Sequence, residues 1–505
     1  MMLNPVSFCA YVDRFNADDD ELYANAFSNA QARDFLRHNI PLFECPDKEM
    51  ELTYYFRWWT YRKHIKQTPD GWVITEFLPP VNWAGKHNTI DMAAGLHIAE
   101  GRWLADPRHV DDYATFWFRR GGDPYRYTTW LAHAIWERAA VTGDARLPVG
   151  LLDDLVAYYL MWEQGKASEG IGGRPNGLFY ITDGQDGGEV SIGGHGYRPL
   201  LNSAMFGEAV AIAAIAECAG RTELADEFAG KAARLQQLVQ ARLWDPRREF
   251  FMILKEDDAT RTATRELYGF APWCFHLPAA GYEAGWRHLL DPQGFGAPFG
   301  PTFAEQRAPG FVIAYTGHEC QWNGPSWPLA TAVTLTGLAN LLNDHDQAVI
   351  GPRAFFDSLR IYAMSHRLVR ADGRIVPWID ENLNPYTGDW ISRTLLFQRN
   401  QPPVERGKDY NHSTFCDLVI GGLVGIRPRH DDSVVVNPLL PAGTWDWFCL
   451  DRVRYHGHDL TVFWDRDGNR YHRGKGLQVL IDGQPAAQSD TLTRMKVGLS
   501  RETRA

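Results

Sequence analysis

The chain has 505 residues, 45% of them hydrophobic and 13% aromatic, and a formal net charge of −11 at pH 7. This length suggests two or three folding units, or one large barrel with an appendage, and it supplies ample apolar material for a core. The acidic balance and the absence of a basic run argue against nucleic acid as a partner and favour a neutral or mildly polar ligand.

The cysteines and the apolar runs set further limits. The seven cysteines are scattered and show no C-x-x-C spacing, which argues against a disulfide framework and against a zinc site. We therefore expect no metal and no cofactor. Residues 1–15 lack a basic segment followed by a sustained apolar one, and no later stretch of about 18 residues is apolar and free of charge. We expect a cytoplasmic protein without a membrane partner, although a removed secretion signal would leave the same pattern, and the sequence leaves a homo-oligomer open.

Helical spacing of apolar residues dominates from about residue 20 to about residue 428. The clearest segments are residues 127–140, 201–220, 224–243 and 325–342. Loops rich in Gly, Pro and Asp separate the helices, and they are much longer than the usual connections of about 4 to 6 residues. These long loops cover residues 79–88, 170–199, 292–324 and 370–409. We expect the helices to pair into hairpins whose long loops gather at one end of a ring.

The pattern changes after residue 428. Residues 433–436, 460–464 and 477–481 are short β-rich runs, and Gly, Asp and Asn lie between them at hairpin-like positions. The sequence therefore predicts two domains, a helical one over residues 1–428 and a small antiparallel sheet over residues 429–505 that ends in a polar, frayed tail from Ser489.

Two of the long loops carry carboxylates in a setting that suits sugar chemistry. Glu381 opens a turn in which Pro385 fixes a backbone torsion, and the indoles of Trp378 and Trp390 bracket this turn. Flat indole faces suit the C–H face of a pyranose. The glycine-rich loop at residues 183–191 holds three more carboxylates and leads into an apolar helix. A pair of carboxylates on separate loops indicates glycoside hydrolysis.

Four landmarks in chain order add a resemblance to a known family. They are N-T-I through E-G-R-W at residues 88–103, the segment 183–203, W-N-G-P-S-W-P at residues 322–328, and E-N-L-N-P-Y-T-G at residues 381–388. With them the chain resembles the six-hairpin glycosidases of glycoside hydrolase family 63 and the mannosylglycerate-hydrolase-like group. The resemblance implies a mainly α protein, an (α/α)6 toroid that carries the small β domain.

The resemblance also implies roles for individual residues. The family's acid lies in a G-x-D motif, which matches residues 184–186 and makes Asp186 the first candidate, although Gln185 departs from the family pattern and Glu189 lies close enough to compete. The family's base opens an E-x-x-N-P-x-T-G turn, which matches Glu381. The implied mechanism is inversion, in which the acid protonates the leaving oxygen and the base activates a water from the opposite face.

Further residues are candidates for binding the sugar. The family's W-x-G-P-x-W motif, which forms a sugar-binding wall, matches Trp322, Asn323 and Trp327. The indoles that bracket the Glu381 turn, Trp378 and Trp390, are further candidates. The first long loop and the helix after it contribute Trp83, His87, Asn88, Glu100 and Arg102, of which the last two are too close in sequence to face each other. Tyr197 and Arg198 follow the acidic loop, where the guanidinium binds either a substrate group or the loop itself.

Other interpretations stay open at this stage. The acidic loop at residues 183–191 is also compatible with a solvated surface loop or with a site for a hard cation. Glu381 is also compatible with a purely structural role, as a turn carboxylate that accepts backbone N–H bonds. A glycoside phosphorylase, a polysaccharide lyase or a non-catalytic sugar-binding protein are alternative functions. The leading prediction is an exo-acting, inverting α-glycosidase on a short saccharide or small glycoside, because large loops over a barrel mouth tend to form a pocket.

Overall fold

The computed structural model describes residues 2–168, 170–257 and 259–499. The α-helices are α1 (Cys9–Ala17), α2 (Ala32–Asn39), α3 (Lys48–His64), α4 (Ala94–Gly101), α5 (Arg108–Arg119), α6 (Leu131–Thr142), α7 (Arg146–Gly150), α8 (Leu152–Glu163), α9 (Pro199–Cys218), α10 (Thr222–Arg242), α11 (Ala271–Cys274), α12 (Pro328–Asp344), α13 (Pro352–Ser365) and α14 (Ile391–Gln398). The four helical segments predicted from periodicity correspond to α6, α9, α10 and α12, with ends that differ by a few residues.

The helices fall into two classes by burial. Every residue of α3 from Thr53 to His64 is buried, and α12 is buried over almost its whole length. In contrast, α5 and α13 bury one face and leave charged residues on the other. A helix that is enclosed on all sides belongs to the interior, whereas an amphipathic helix covers it. The helical body therefore has an inner layer and an outer layer.

Contacts between helices of both layers close the helical body into a ring. Helix α4 packs on α6, α6 on α9, α9 on α11, α11 on α12, α12 on α13, and α13 on α3. The hydroxyl of Tyr61 on α3 donates to the carbonyl oxygen of His97 on α4 at 2.7 Å, which completes the circuit. The body is an (α/α)6 toroid, as the sequence predicts.

Helix α9 illustrates how the inner layer is built. Its length and composition would allow it to cross a membrane, but 83% of its most apolar stretch is buried inside the protein. Its one buried carboxylate, Glu208, accepts a hydrogen bond from the backbone N–H of Ala132 at 2.9 Å and so caps the first turn of α6. The apolar character of α9 is that of a core helix between neighbouring helices.

The strands are mostly short. They are β1 (Leu42–Glu44), β2 (Ile65–Thr68), β3 (Gly71–Ile74), β4 (Gly172–Gly173), β5 (Phe179–Tyr180), β6 (Trp244–Asp245), β7 (Phe250–Phe251), β8 (Arg367–Val369), β9 (Ile375–Pro377), β10 (Ile426–Arg427), β11 (Ser433–Val436), β12 (Trp447–Tyr455), β13 (His458–Asp465), β14 (Gly476–Ile481), β15 (Gln484–Ser489) and β16 (Met495–Gly498). The pairs β2–β3, β4–β5, β6–β7 and β8–β9 are hairpins within the loops of the toroid.

The C-terminal part is an antiparallel sheet with strand order β1-β12-β13-β14-β15. The turns β12–β13 and β14–β15 contain His456-Gly457 and Asp482-Gly483, and all four residues have positive φ, as type I′ hairpins require. Strand β1 joins this sheet from the N-terminal part of the chain. The tail after Ser489 differs from the expectation, because β16 lies within it and pairs with β11 while Val497 is buried.

Candidate functional site

The long loops of the toroid meet around a cavity of about 280 Å³. Each of the four predicted long loops supplies lining residues, among them Trp83, Glu189, Trp322 and Glu381. The loops therefore gather at one end of the ring, as the sequence predicts, and they bring two of the candidate carboxylates to the same cavity.

Aromatic rings form much of the cavity wall. Trp322 stacks on Trp327 with the ring centroids 3.7 Å apart and the planes 8° apart, and the indole N–H of Trp327 donates to the carbonyl oxygen of Gln321 at 2.8 Å. Trp83 also lines the cavity, and its ring is nearly perpendicular to that of Phe77. Three of the predicted sugar-binding indoles thus line the cavity, where flat apolar faces suit a sugar ring.

Glu381 is held in place by side chains from two neighbouring segments. Arg406 donates to its Oε1 from Nε at 3.0 Å and from Nη2 at 2.8 Å, and the thiol of Cys320 lies 3.4 Å from its Oε2. The same guanidinium lies over the ring of Trp83 and contacts Glu319 through Nη1 at 3.2 Å. Among the described residues, Oε2 of Glu381 accepts a hydrogen bond only from this weak thiol donor.

The turn that carries Glu381 is anchored by backbone bonds. Leu383 forms an isolated bridge with Ser326, next to the indole wall. The side-chain oxygen of Asn384 accepts from the N–H of Tyr386 at 2.9 Å, and the N–H of Phe299 donates to the carbonyl oxygen of Pro385 at 2.9 Å. These bonds fix the turn, so Glu381 has a defined direction.

Glu189 is the second carboxyl group of the cavity. The N–H of Trp322 donates to its carbonyl oxygen at 3.1 Å, which ties the acidic loop to the indole wall. The pKa of Glu189 is raised to about 7, mainly by burial and also by the negative charge of Glu381, while its own backbone N–H, His318 and Trp322 act to lower it. A large share of Glu189 is therefore protonated at neutral pH.

Asp186 occupies a different place, away from the cavity lining. It is fully buried, where its Oδ1 accepts from the hydroxyl of Thr128 at 2.6 Å and its Oδ2 accepts from Nε of Arg198 at 2.7 Å. Arg198 also donates to Ser191 and to the carbonyl oxygen of Gly194. Burial raises the pKa of Asp186, and the charge of Arg198 opposes that rise. The pair fastens the acidic loop from inside.

Two candidates from the first landmark have structural partners. Glu100 accepts backbone N–H bonds from Phe415, Cys416 and Asp417 at 2.8 to 3.1 Å, so it caps the segment that leads into the π-helix Leu418–Leu423. Arg102 pairs with Asp417 at 2.8 Å and lines a separate cavity of about 570 Å³ between the toroid and the C-terminal strands. Arg102 also pairs with Glu137 there, so its charge is already balanced by two carboxylates.

The remaining candidates also lie outside the lining of the 280 Å³ cavity. His87 pairs with Asp70, and Asn88 ties its own loop by hydrogen bonds to Phe77 and Pro79, which positions Trp83. Tyr197 forms a β-bridge with Leu254, and the backbone carbonyl oxygen of Asn323 accepts from the N–H of Val312. The guanidinium of Arg393 lies over the ring of Trp378. The indole N–H of Trp390 donates to the carbonyl oxygen of Arg367.

The cavity contains residues that motif reasoning did not single out. They are Glu76, Tyr127, Cys320, Gln401, Arg406, Tyr410 and His412, along with apolar neighbours. Glu76 gave one available signal, since it is the only charge in the apolar run 74–81. The stretch R-G-K-D-Y-N-H at residues 406–412 gave a weaker one, a dense polar segment before the last apolar helical segment. Within residues 2–168, 170–257 and 259–499, no group of three or more His, Cys, Asp or Glu is placed to hold a metal ion.

Comparisons with known proteins come from sequence and structure. A family model described as "Mannosylglycerate hydrolase MGH1-like glycoside hydrolase domain" matches residues 86–413, and one described as "Glycosyl hydrolase family 65, C-terminal domain" matches residues 426–487. A solved structure titled "Sialidase" is 40% identical over 100% of this chain with a TM-score of 0.91. This chain covers 45% of that protein, less than half of its length.

Two more distant structures share the fold. The GH63 mannosylglycerate hydrolase from Thermus thermophilus, in complex with glucose, is 12% identical with a TM-score of 0.51, over 73% of this chain and 99% of that one. The GH78 family rhamnosidase of Bacillus sp. GL1 is 14% identical with a TM-score of 0.59, over 89% of this chain and 42% of that one. At these identities the likeness concerns the fold alone.

Proposed function

Because the chain belongs to the family of mannosylglycerate hydrolase MGH1-like glycoside hydrolase domains and is a glycosidase, we propose that it is an exo-acting, inverting α-glycosidase with Glu189 as general acid and Glu381 as general base. The observation that carries the assignment is that both carboxyl groups line one cavity of about 280 Å³ with aromatic walls. Glycoside hydrolysis by inversion needs one protonated and one ionised carboxyl group around the bond to be cleaved.

Glu189 suits the role of the acid. Burial and the charge of Glu381 raise its pKa to about 7, so it holds a proton near neutral pH that it can give to the glycosidic oxygen. Asp186, which the G-x-D motif favours, is already bonded to Thr128 and Arg198 in the interior. A donor that cannot reach the leaving oxygen cannot protonate it, so we assign Asp186 to fastening the loop.

Glu381 suits the role of the base. Its Oε1 pairs with the guanidinium of Arg406 at 2.8 Å, and a carboxylate is the form that removes a proton from water. In the proposed reaction this water attacks the anomeric carbon from the face opposite the leaving group. The C–O bond to the aglycone breaks, Glu189 protonates the departing oxygen, and the product is a hemiacetal of inverted configuration.

The cavity favours a neutral terminal sugar of a short saccharide or small glycoside. Its volume is at the low end of the roughly 300 to 1,000 Å³ of ligand pockets, which suits a single sugar residue better than a chain. Four carboxyl groups line it, and its one arginine already contacts Glu381 and Glu319. A sugar carboxylate would meet this excess of acidic groups without a free guanidinium among the described lining residues, so the cavity disfavours sialic acids and uronates.

The alternatives fit the cavity less well. A phosphorylase replaces the water-activating base with phosphate, a second anion that Glu381 would repel. A lyase for uronates needs a group that neutralises the sugar carboxylate, and Arg406 is occupied. A sugar-binding protein without catalysis has no need for two carboxyl groups on separate loops that line one cavity.

The experiment is hydrolysis of a panel of aryl α- and β-glycosides and disaccharides of neutral sugars, with an aryl sialoside and an aryl glucuronide included. NMR of the first-formed product then gives its anomeric configuration. We expect turnover of a neutral α-glycoside with inversion. Retention of configuration, or turnover confined to the sialoside, would overturn the proposal.

A further inference from the structure

Glu76 is a third carboxyl group of the cavity and has no part in the acid–base pair. It is 5% exposed and follows β3, at the start of the first long loop. Its Oε1 accepts a hydrogen bond from the hydroxyl of Tyr410, while its Oε2 is buried without a hydrogen-bond partner in the part of the chain that the structure describes. The N–H of Asn411 donates to the carbonyl oxygen of Glu76 at 3.1 Å, which links this segment to the one that carries Tyr410.

His412 lies next to this pair. Its ring centroid is 3.9 Å from that of Tyr410 and 6.0 Å from that of Trp327, and the residue is 2% exposed. Neither ring nitrogen has a hydrogen-bond partner among the described residues. A buried polar group without a partner costs free energy, so its retention at a cavity wall points to a ligand that supplies the missing bond.

Resting on the proposed function, we propose that Glu76 and His412 form the hydroxyl-binding side of the sugar subsite. Oε2 of Glu76 binds one hydroxyl group of the terminal sugar, and a ring nitrogen of His412 binds another, while the indole wall of Trp322 and Trp327 takes the apolar face of the ring. Tyr410 sets the spacing between the two groups, because it bonds to Glu76 and packs on His412. The two side chains are then specificity-determining residues.

The protonation states of the two groups suit hydroxyl groups. Burial raises the pKa of Glu76 to about 8, and the nearby charges of Glu381, Glu189 and Asp91 act in the same direction, against the hydrogen bond from Tyr410. Near neutral pH this group is a carboxylic acid with an O–H to donate.

His412 is neutral for a related reason. Burial lowers its pKa well below the ordinary value, and the positive charge of Arg57 lowers it further. A neutral imidazole has one N–H donor and one acceptor nitrogen. Together the acid and the imidazole match a sugar with two free hydroxyl groups, and they do not match one whose hydroxyls are methylated or acylated at those positions.

The test is a set of double-mutant cycles, in which the removal of an enzyme side chain is combined with the removal of a substrate hydroxyl group. The substrates are the aryl glycoside that the wild type cleaves best and each of its monodeoxy analogues. The variants are Glu76→Ala, Glu76→Gln and His412→Ala. The matched control is His109→Ala, since His109 is a buried histidine with an unpartnered Nδ1 that lies outside the cavity lining.

We expect kcat/KM of the wild type to fall by about 10-fold or more on one analogue for each residue. Glu76→Ala should no longer discriminate against the analogue that lacks its hydroxyl, Glu76→Gln should discriminate partly because its amide can donate, and His109→Ala should match the wild type. Variants that lose the same factor on every substrate, or that keep the wild-type discrimination, would overturn the inference.

A binding measurement separates this inference from the proposed function. Quenching of tryptophan fluorescence reports sugar in the cavity without catalysis, with free D-glucose, D-mannose, D-galactose, L-rhamnose and L-arabinose and their monodeoxy forms as probes. Binding by the wild type that Glu76→Ala and His412→Ala weaken supports the inference even if no glycoside is cleaved. Absence of binding by the wild type for every probe would overturn it, as would binding that both variants leave unchanged.

Discussion

Arg198 and Asp186 form an ion pair in the interior, with Nε of the arginine 2.7 Å from Oδ2 of the aspartate and both side chains at most 1% exposed. Asp186→Asn removes one charge of a buried pair, which typically costs about 3 to 5 kcal/mol of stability. We expect a lower free energy of unfolding by urea but kcat within about 10-fold of the wild type at a temperature where the variant is folded. A folded Asp186→Asn variant without activity would contradict the loop-fastening role.

The sequence could place the acidic loop but not select its acid. Residues 183–191 form an irregular segment, so Asp186 and Glu189, three positions apart, have no fixed angular relationship of the kind that a helix or strand imposes. The two carboxylates differ in their contacts, because Asp186 bonds to Thr128 and Arg198 whereas Glu189 lines the cavity. Long-range contacts of this kind leave no local pattern in one sequence.

The fold was more predictable than the site, for a physical reason. The helices of the toroid and the strands of the final sheet repeat apolar residues at their own periods, so residues near one another in the chain suffice to predict them. Strand β1 has three residues and no readable period, and its pairing with β12 joins positions about 400 residues apart. In the same way Glu76 and His412 meet only because the ring closes.

The two catalytic roles predict different dependences of the rate loss on the leaving group. Glu189→Gln removes the proton donor, so we expect a loss of about 10²- to 10⁴-fold in kcat/KM on methyl or disaccharide substrates and a much smaller loss on a dinitrophenyl glycoside, whose leaving group needs no proton. Glu381→Gln removes the base and should impair both substrates alike. Initial rates on the two classes of substrate check this, and equal losses of Glu189→Gln on both would contradict its role as acid.

The activity should decline on the alkaline side of neutrality. The pKa of Glu189 is about 7, raised by burial and by Glu381 and lowered by His318 and Trp322. An acid must be protonated to act, so kcat/KM should be highest below this pH and fall by roughly tenfold per pH unit well above it. The pKa of Glu76 is also close to this pH, at about 8. The alkaline fall in kcat/KM therefore reflects the coupled titration of Glu189 and Glu76. A profile flat from pH 6 to pH 9 would contradict the assignment.

Glu76→Gln should stabilise the protein at alkaline pH. The pKa of Glu76 is raised to about 8 in the folded state, above the value of about 4.3 expected for an unfolded chain. Between these values the folded state holds a proton that the unfolded state has released, so the wild type loses stability as pH rises through this window. Glutamine does not titrate, and its advantage should grow from near zero at pH 4 to about 4 to 5 kcal/mol at pH 8.

Urea unfolding of both proteins at pH 4, 6 and 8 measures that difference. Glu305→Gln serves as the comparison, since Glu305 is buried at 4% exposure and paired with Arg265 at 2.6 Å, outside the cavity lining. Its substitution should cost stability at pH 8. A gap between wild type and Glu76→Gln that does not change with pH would contradict a raised pKa of Glu76 in the folded protein.

The most direct measurement of the central claim is kcat/KM for the best-cleaved disaccharide or alkyl glycoside in the wild type, Glu189→Gln, Glu381→Gln and Asp183→Asn. Asp183 lies in the same loop as Glu189 but outside the cavity lining, so its variant controls for a change of charge in that loop. We predict a loss of about 10²-fold or more in each of the two glutamine variants and near wild-type activity in Asp183→Asn. Full activity in either Glu189→Gln or Glu381→Gln would contradict the assignment of this pair.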